Sequence, residues 1–250
     1  MADRSALISS VPFTIASWDV DAHNRVTTSA LGRYMQEAAE VNAAGLGAGF
    51  ADLLAEGQTW ILSGLLLQVA RYPRFTDRIT LETWPRDLVN RQALRDVRFR
   101  DAAGEVFATA TTAWYCLDLA SRRPVRADRW RTVDWLADDR ATDRDPGRLP
   151  GTGDEPIGEV EAPIRWSDLD LNGHVTNTRY QDLLLESYPE SWLRKRAIAE
   201  LELNFLAETA YPDTMRCRRV ADPELANTWH HSLVRASDGR EAARARIVWR

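Results

Sequence analysis

Asp170, Asn172 and His174 stand at alternate positions in the segment 165–177, directly ahead of an amphipathic run. An extended chain would turn all three to one side, beside the positive end of the helix that follows. A carboxylate, an amide and an imidazole so placed suit an oxyanion. A plainer reading is equally open to the same residues: Asp170 and Asn172 serve a turn and helix cap, and His174 has a structural partner. No further His or Cys lies at ligand spacing, so neither a metal nor another cofactor is expected. His230 and His231 are adjacent in a strand-like segment and should face opposite ways, in structural roles. Cys116 and Cys217 are isolated, which makes neither a disulfide framework nor a metal site; both read as reduced and non-catalytic.

The elements that must position these residues come from a repeat. Gly104, Ala108, Ala110 and Trp114 recur as Gly239, Ala243, Ala245 and Trp249 at one fixed spacing, and Leu67 and Asp77 recur as Leu203 and Asp213 at nearly the same one. At a larger spacing, Asp19, Asp21, Val26 and Glu37 correspond to Asp168, Asp170, Val175 and Glu186. The difference implies a longer connection after the first helix, near 45–57. Each unit reads as a strand, a long helix and then several strands. Leu31, Tyr34, Met35 and Ala38 share one helical face, with Thr27 or Thr28 as cap; Tyr180, Leu183, Leu184 and Tyr188 form the second stripe, stopped by Pro189. Segments 59–70, 76–84, 92–100 and 105–117, and in the second unit 197–206, 214–220, 228–236 and 241–249, are strand-like. A one-faced helix followed by antiparallel strands gives an α+β layering, a tandem or double hot-dog fold in which two antiparallel sheets each wrap a central helix. The stretch 137–158, rich in Asp, Arg, Gly and Pro, reads as an exposed linker. The expected division is a first domain over 1–137, a linker over 138–158 and a second domain over 159–250.

A length of 250 residues with 44% hydrophobic content can build two ordinary cores, and a formal net charge of -5 gives no general attraction to nucleic acid or an anionic membrane. No long uncharged apolar run occurs, so membrane insertion is not expected. The opening MADRSALISS lacks the basic start and apolar core of a secretory leader, so a cytoplasmic location is expected.

Segment 167–186, SDLDLNGHVTNTRYQDLLLE, resembles the strongest motif of plant and bacterial acyl-acyl carrier protein (acyl-ACP) thioesterases, an Asp-x-Asn-x-His turn entering the central helix. Thr176 departs from it, where that family often has Asn. In the first unit Trp60-Ile61-Leu62-Ser63, Arg71-Tyr72-Pro73, Asp77 and Thr83-Trp84 look like the family's N-terminal domain, so the resemblance covers nearly the whole chain. It implies hydrolysis of fatty acyl-ACP to free fatty acid and holo-ACP. It also maps the family's Glu, often followed by Cys, onto Glu208 and Thr209; with no thiol there, attack by water with Glu208 as base is favoured. Asn172 and His174 would then donate to the oxyanion, and Asp170 would orient one of them. By the repeat, Asn172, His174 and Glu208 become His23, Arg25 and Tyr72, so the first unit should be catalytically silent. The resemblance implies that it shapes an acyl tunnel, for which Trp60, Leu62 and Leu66, expected on one strand face, are the candidate lining. The implied partner is an acidic acyl carrier protein, met by a monomer or homodimer. Local basic candidates for it are Arg194, Lys195 and Arg196, and Arg216, Arg218 and Arg219. The competing expectations are an acyl-CoA thioesterase with Asp170 as base or nucleophile, and a non-catalytic acyl-binding module.

Overall fold

The computed structural model describes residues 7–125, 138–153 and 156–250. The expected domain end at 137 and the first six residues of the opening segment lie outside these. The chain divides into two units, Met1–Asp145 and Pro146–Arg250.

In the first unit, β1 (Ser9–Thr14) precedes a helix α1 (Thr28–Gly45), a short α2 (Phe50–Ala55), and the strands β2 (Gln58–Val69), β3 (Arg78–Val89), β4 (Gln92–Asp101), β5 (Val106–Asp118) and the two-residue β6 (Arg123–Pro124). Thr27 caps α1 by accepting from the Ala30 amide at 3.1 Å. Ala30, Leu31, Met35, Ala38 and Asn42, at helical spacing, are buried, and α1 packs on β1 and β3. Tyr34 of the expected stripe is half-buried and donates to Asp19 at 2.6 Å. The antiparallel sheet runs β1-β3-β4-β5-β2, with β6 on β5.

The second unit repeats this plan with β7 (Gly158–Pro163), α3 (Asn177–Leu185), α4 (Glu190–Leu193), β8 (Ile198–Phe205), β9 (Thr214–Ala221), β10 (Thr228–Arg235) and β11 (Glu241–Trp249). Its sheet order, β7-β9-β10-β11-β8, is the first unit's order element for element. Matching backbone bonds confirm the internal correspondence: Ile15 N–H to Asp77 C=O and Ile164 N–H to Asp213 C=O are both 2.9 Å. The α+β double hot-dog expectation therefore holds.

Several expectations need correction. The extra length of the first unit goes largely into helix, since α1 has 18 residues and α3 has 9. α3 ends before Tyr188, and Pro189 is the N-cap of α4 rather than the stop of α3. Trp60, Leu62 and Leu66 do not share a face. Pairing with β5 passes from Leu62↔Trp114 to Gly64↔Ala113, leaving Ser63 as an extra residue, and such a bulge reverses the alternation beyond it. Trp60 and Leu62 lie on the face where Arg95 meets Asn42 of α1, whereas Leu66, paired with Thr111, lies on the opposite face.

That opposite face is covered by part of the expected linker, which is not simply exposed. Trp84 Nε1 donates to Asp139 C=O at 2.9 Å, and the Ala141 amide donates to the fully buried Asp96 at 2.8 Å. Buried Arg86 pairs with both Asp96 and Asp145. In the second unit the amides of Gly147 and Leu149 donate to Glu202 and Asn204 at 2.6 and 2.8 Å, and Leu149 is buried. Its composition resembles a solvated linker because its partners are the polar outer faces of the sheets.

Candidate active site

The segment carrying the motif is a tight turn rather than an extended strand. The Asp170 amide donates to His174 C=O at 2.8 Å, Gly173 takes a φ of 76°, and Leu169 and Val175 bridge across the base of the turn. Asp170 Oδ1 accepts the amides of Asn172 at 2.8 Å and His174 at 3.3 Å, as a turn aspartate does. Asn172 is therefore carried exposed on the turn, and the simple alternation expected of the three residues does not apply.

The first unit builds the same turn. The Asp21 amide donates to Arg25 C=O at 2.8 Å, and Asp21 Oδ1 accepts from His23 and Arg25 at 2.8 and 3.0 Å. There Arg25 folds its guanidinium back onto Asp21, Nε to Oδ2 at 2.9 Å. The Asp persists where the Asn and His do not, so its turn contacts are common to both units.

His174 behaves differently from Arg25. Its Nε2 lies 3.5 Å from Glu208 Oε2, with both side chains about a third open to solvent (32% and 38%). Glu208 is brought there by the strand exit after β8, where the Val175 amide donates to Thr209 C=O at 2.8 Å. The first unit's equivalent bond, from Val26 to Pro73 C=O at 2.9 Å, puts Tyr72 where Glu208 stands. Thr209 is buried, and its Oγ1 accepts from Tyr180 of α3 at 3.1 Å. Burial raises the Tyr180 phenol above its ordinary value, and the nearby charges of Glu208 and Asp170 act in the same direction. These neighbours place Tyr180 just beneath the site.

Two supporting residues were missed in the sequence. Tyr180 was legible as a core position, but its hydroxyl contact was not. Arg235, at the end of β10, donates from Nη1 to Glu208 C=O at 2.6 Å, and its only local signal was Asp238 three residues later. The structural expectation for the histidines holds: His230 pairs with Asp222 at 2.8 Å, and buried His231 meets Tyr188 Oη at 2.9 Å. Both cysteines are buried, and burial pushes the Cys217 thiol up to about 12.

Comparison with known proteins bears on the whole arrangement. The model of the acyl-ACP thioesterase N-terminal domain matches residues 9–129, and that of the acyl-ACP thioesterase C-terminal domain matches residues 154–250. The chain belongs to the acyl-ACP thioesterase family. Among relatives of this thioesterase family, the palmitoyl-acyl carrier protein thioesterase of Cuphea hookeriana is 25% identical over 95% of this chain. The chain spans 61% of that relative's length. The crystal structure of an acyl-ACP thioesterase from Bacteroides thetaiotaomicron superposes with a TM-score of 0.88 at 23% identity, covering 99% of this chain and 100% of the other. The 12:0-ACP thioesterase from Umbellularia californica gives 0.83 at 22% identity, over 98% and 97% of the two chains. These likenesses establish the shared fold.

Proposed function

We propose that the chain hydrolyses fatty acyl-ACP to free fatty acid and holo-ACP at the site in its second unit. The observation that carries this reading is the approach of His174 to Glu208 from two separate segments, in a chain of this family. Glu208 takes a proton from water as the water oxygen bonds to the thioester carbonyl carbon. Asn172 and His174 donate to the carbonyl oxygen as it becomes negative; losing one such donor typically costs roughly 100- to 1000-fold in rate. Collapse of the tetrahedral intermediate breaks the C–S bond, and the proton held by Glu208 passes to the departing sulfur, which leaves as the thiol of the carrier's arm and restores the carboxylate.

Two features support water rather than an acyl-enzyme. Thr209 replaces the Cys of the family pattern and its hydroxyl is committed to Tyr180. Asp170, the nucleophile of the competing acyl-CoA reading, is engaged by two turn amides and is duplicated by Asp21. In the first unit, Trp60 and Leu62 on the helix-facing side would line the acyl chain's binding site and set its length. The carrier is tested by comparing kcat/KM for one acyl chain on ACP and on coenzyme A. Clear preference for acyl-ACP is expected; equal or greater efficiency on acyl-CoA would overturn the assignment of carrier.

A further inference from the structure

We infer that Arg235 is a positioning residue for the base, acting through the Glu208 backbone; this rests on the proposed role of Glu208. The guanidinium uses three donors at once. Nε and Nη2 grip Asp238 at 3.1 and 2.5 Å, and Nη1 donates to Glu208 C=O at 2.6 Å. A planar guanidinium held on two arms fixes the direction of the third. The Arg235 side chain is only 18% exposed, so water competes weakly for these contacts. One residue further on, Val175 and Tyr180 hold the carbonyl and hydroxyl of Thr209. The Glu208 peptide is thus tied on both sides.

The repeat supplies an internal contrast. Gly239 N–H to Arg235 C=O at 3.0 Å corresponds to Gly104 N–H to Asp101 C=O at 2.9 Å, so Asp101 occupies the place of Arg235 in the first unit. Asp101 reaches the same strand exit, but it pairs with the Arg71 side chain, next to Tyr72. The hairpin end is tied to that exit in both units. In the unit with His174 and Glu208 the tie comes from a cation and lands on the peptide of the base.

The test is a double-mutant cycle on acyl-ACP in single-turnover and steady-state form, using Arg235→Gln, Glu208→Gln and the pair. A displacement of about 1 Å at a reacting group can cost on the order of 100-fold, so Arg235→Gln should lower kcat about 10- to 100-fold while KM changes little. Added to Glu208→Gln, it should cost almost nothing further, because there is no base left to aim. Arg235→Lys, able to reach the carbonyl, should recover part of kcat. Asp238→Asn, which leaves the guanidinium but loosens its anchor, should give a smaller loss of the same kind and serves if Arg235→Gln does not fold. Equal proportional losses in both backgrounds would identify a merely structural arginine and overturn the proposal. Normal kcat in Arg235→Gln beside a large loss in Glu208→Gln would overturn the positioning role alone. Near-normal turnover in Glu208→Gln would overturn the role of the base, and the positioning role with it.

Discussion

At the scale of single residues, His174 and Glu208 come from two segments to within 3.5 Å, and the proposed reaction gives them the chemistry and their neighbours the support. His174→Ala should lower kcat about 100-fold or more, since it removes an oxyanion donor. Thr209→Ala should leave kcat within a few-fold and instead reduce stability by about 1–3 kcal/mol, because the buried Tyr180 hydroxyl loses its acceptor. Parallel kinetics and urea melts distinguish them; a kcat loss in Thr209→Ala matching His174→Ala would give the hydroxyl a part in the reaction. The buried histidine makes a different demand. Burial, assisted by Arg219 and His230, pushes His231 down to about 3 from an ordinary 6.5. As pH falls between those values the unfolded chain binds a proton that the native state refuses, so stability declines. Asp222, held at about 2 first by the His230 ring and then by loop amides, contributes in the same direction at lower pH, fading from about 3.8 downward. Urea midpoints should fall from pH 6.5 toward 3, more steeply in the wild type than in His231→Gln; identical slopes would remove His231 as a cause. The motif made Asp170 and His174 legible by type and spacing. The orientation of Asn172 was not legible, because a turn closed at Gly173 replaces the alternation of a strand.

At the scale of elements, strand periodicity located the four strands after the helix in each unit to within a few residues, except that β3 continues past Trp84 through a bulge near Pro85; the opening strands β1 and β7 were expected but not placed. The bulge at Ser63 escaped for a physical reason: one extra residue changes the side-chain phase without changing composition. It has a functional consequence. Leu62→Ala on the helix-facing side should shift the chain-length profile of released acids, whereas Leu66→Ala, under the 139–145 segment, should cost about 2–5 kcal/mol of stability and leave the profile unchanged. Product profiling by mass spectrometry beside denaturation checks both; a profile shift from Leu66→Ala alone would reverse the two faces. Residues 139–152 show the opposite failure. Their charge and lack of apolar periodicity suggest solvent, yet Asp96 and Arg86 form a buried ion pair beneath 139–145. Composition cannot distinguish backbone that binds water from backbone that binds the polar face of a sheet.

At the scale of the molecule, the repeat was legible because several corresponding turn and strand positions keep the same residue types, and corresponding backbone bonds such as Ile15 to Asp77 and Ile164 to Asp213 recur in both units. Charge was less informative. Of the basic groups named as candidates to meet an acidic carrier, Arg194 pairs with Glu190, Arg218 pairs with Glu159, Arg196 stacks on Trp192 at 4.8 Å, and Arg219 lies 4.8 Å from the Tyr188 ring centre. Much of that arginine serves the second unit's own surface and aromatic cluster, and counting charges along the chain could not reveal it. The duplication also gives the functional account its sharpest form. Two units share a turn and a fold, but among the described residues only the second sets a turn imidazole 3.5 Å from a carboxylate. The central measurement is the free fatty acid released from a mixed acyl-ACP pool, followed by mass spectrometry for the wild type and Glu208→Gln at equal concentration. The wild type should release free acids, and the variant should be slower by about 100-fold or more with an unchanged melting temperature. No release by the wild type, or equal release by a folded Glu208→Gln, would contradict water activation in the second unit.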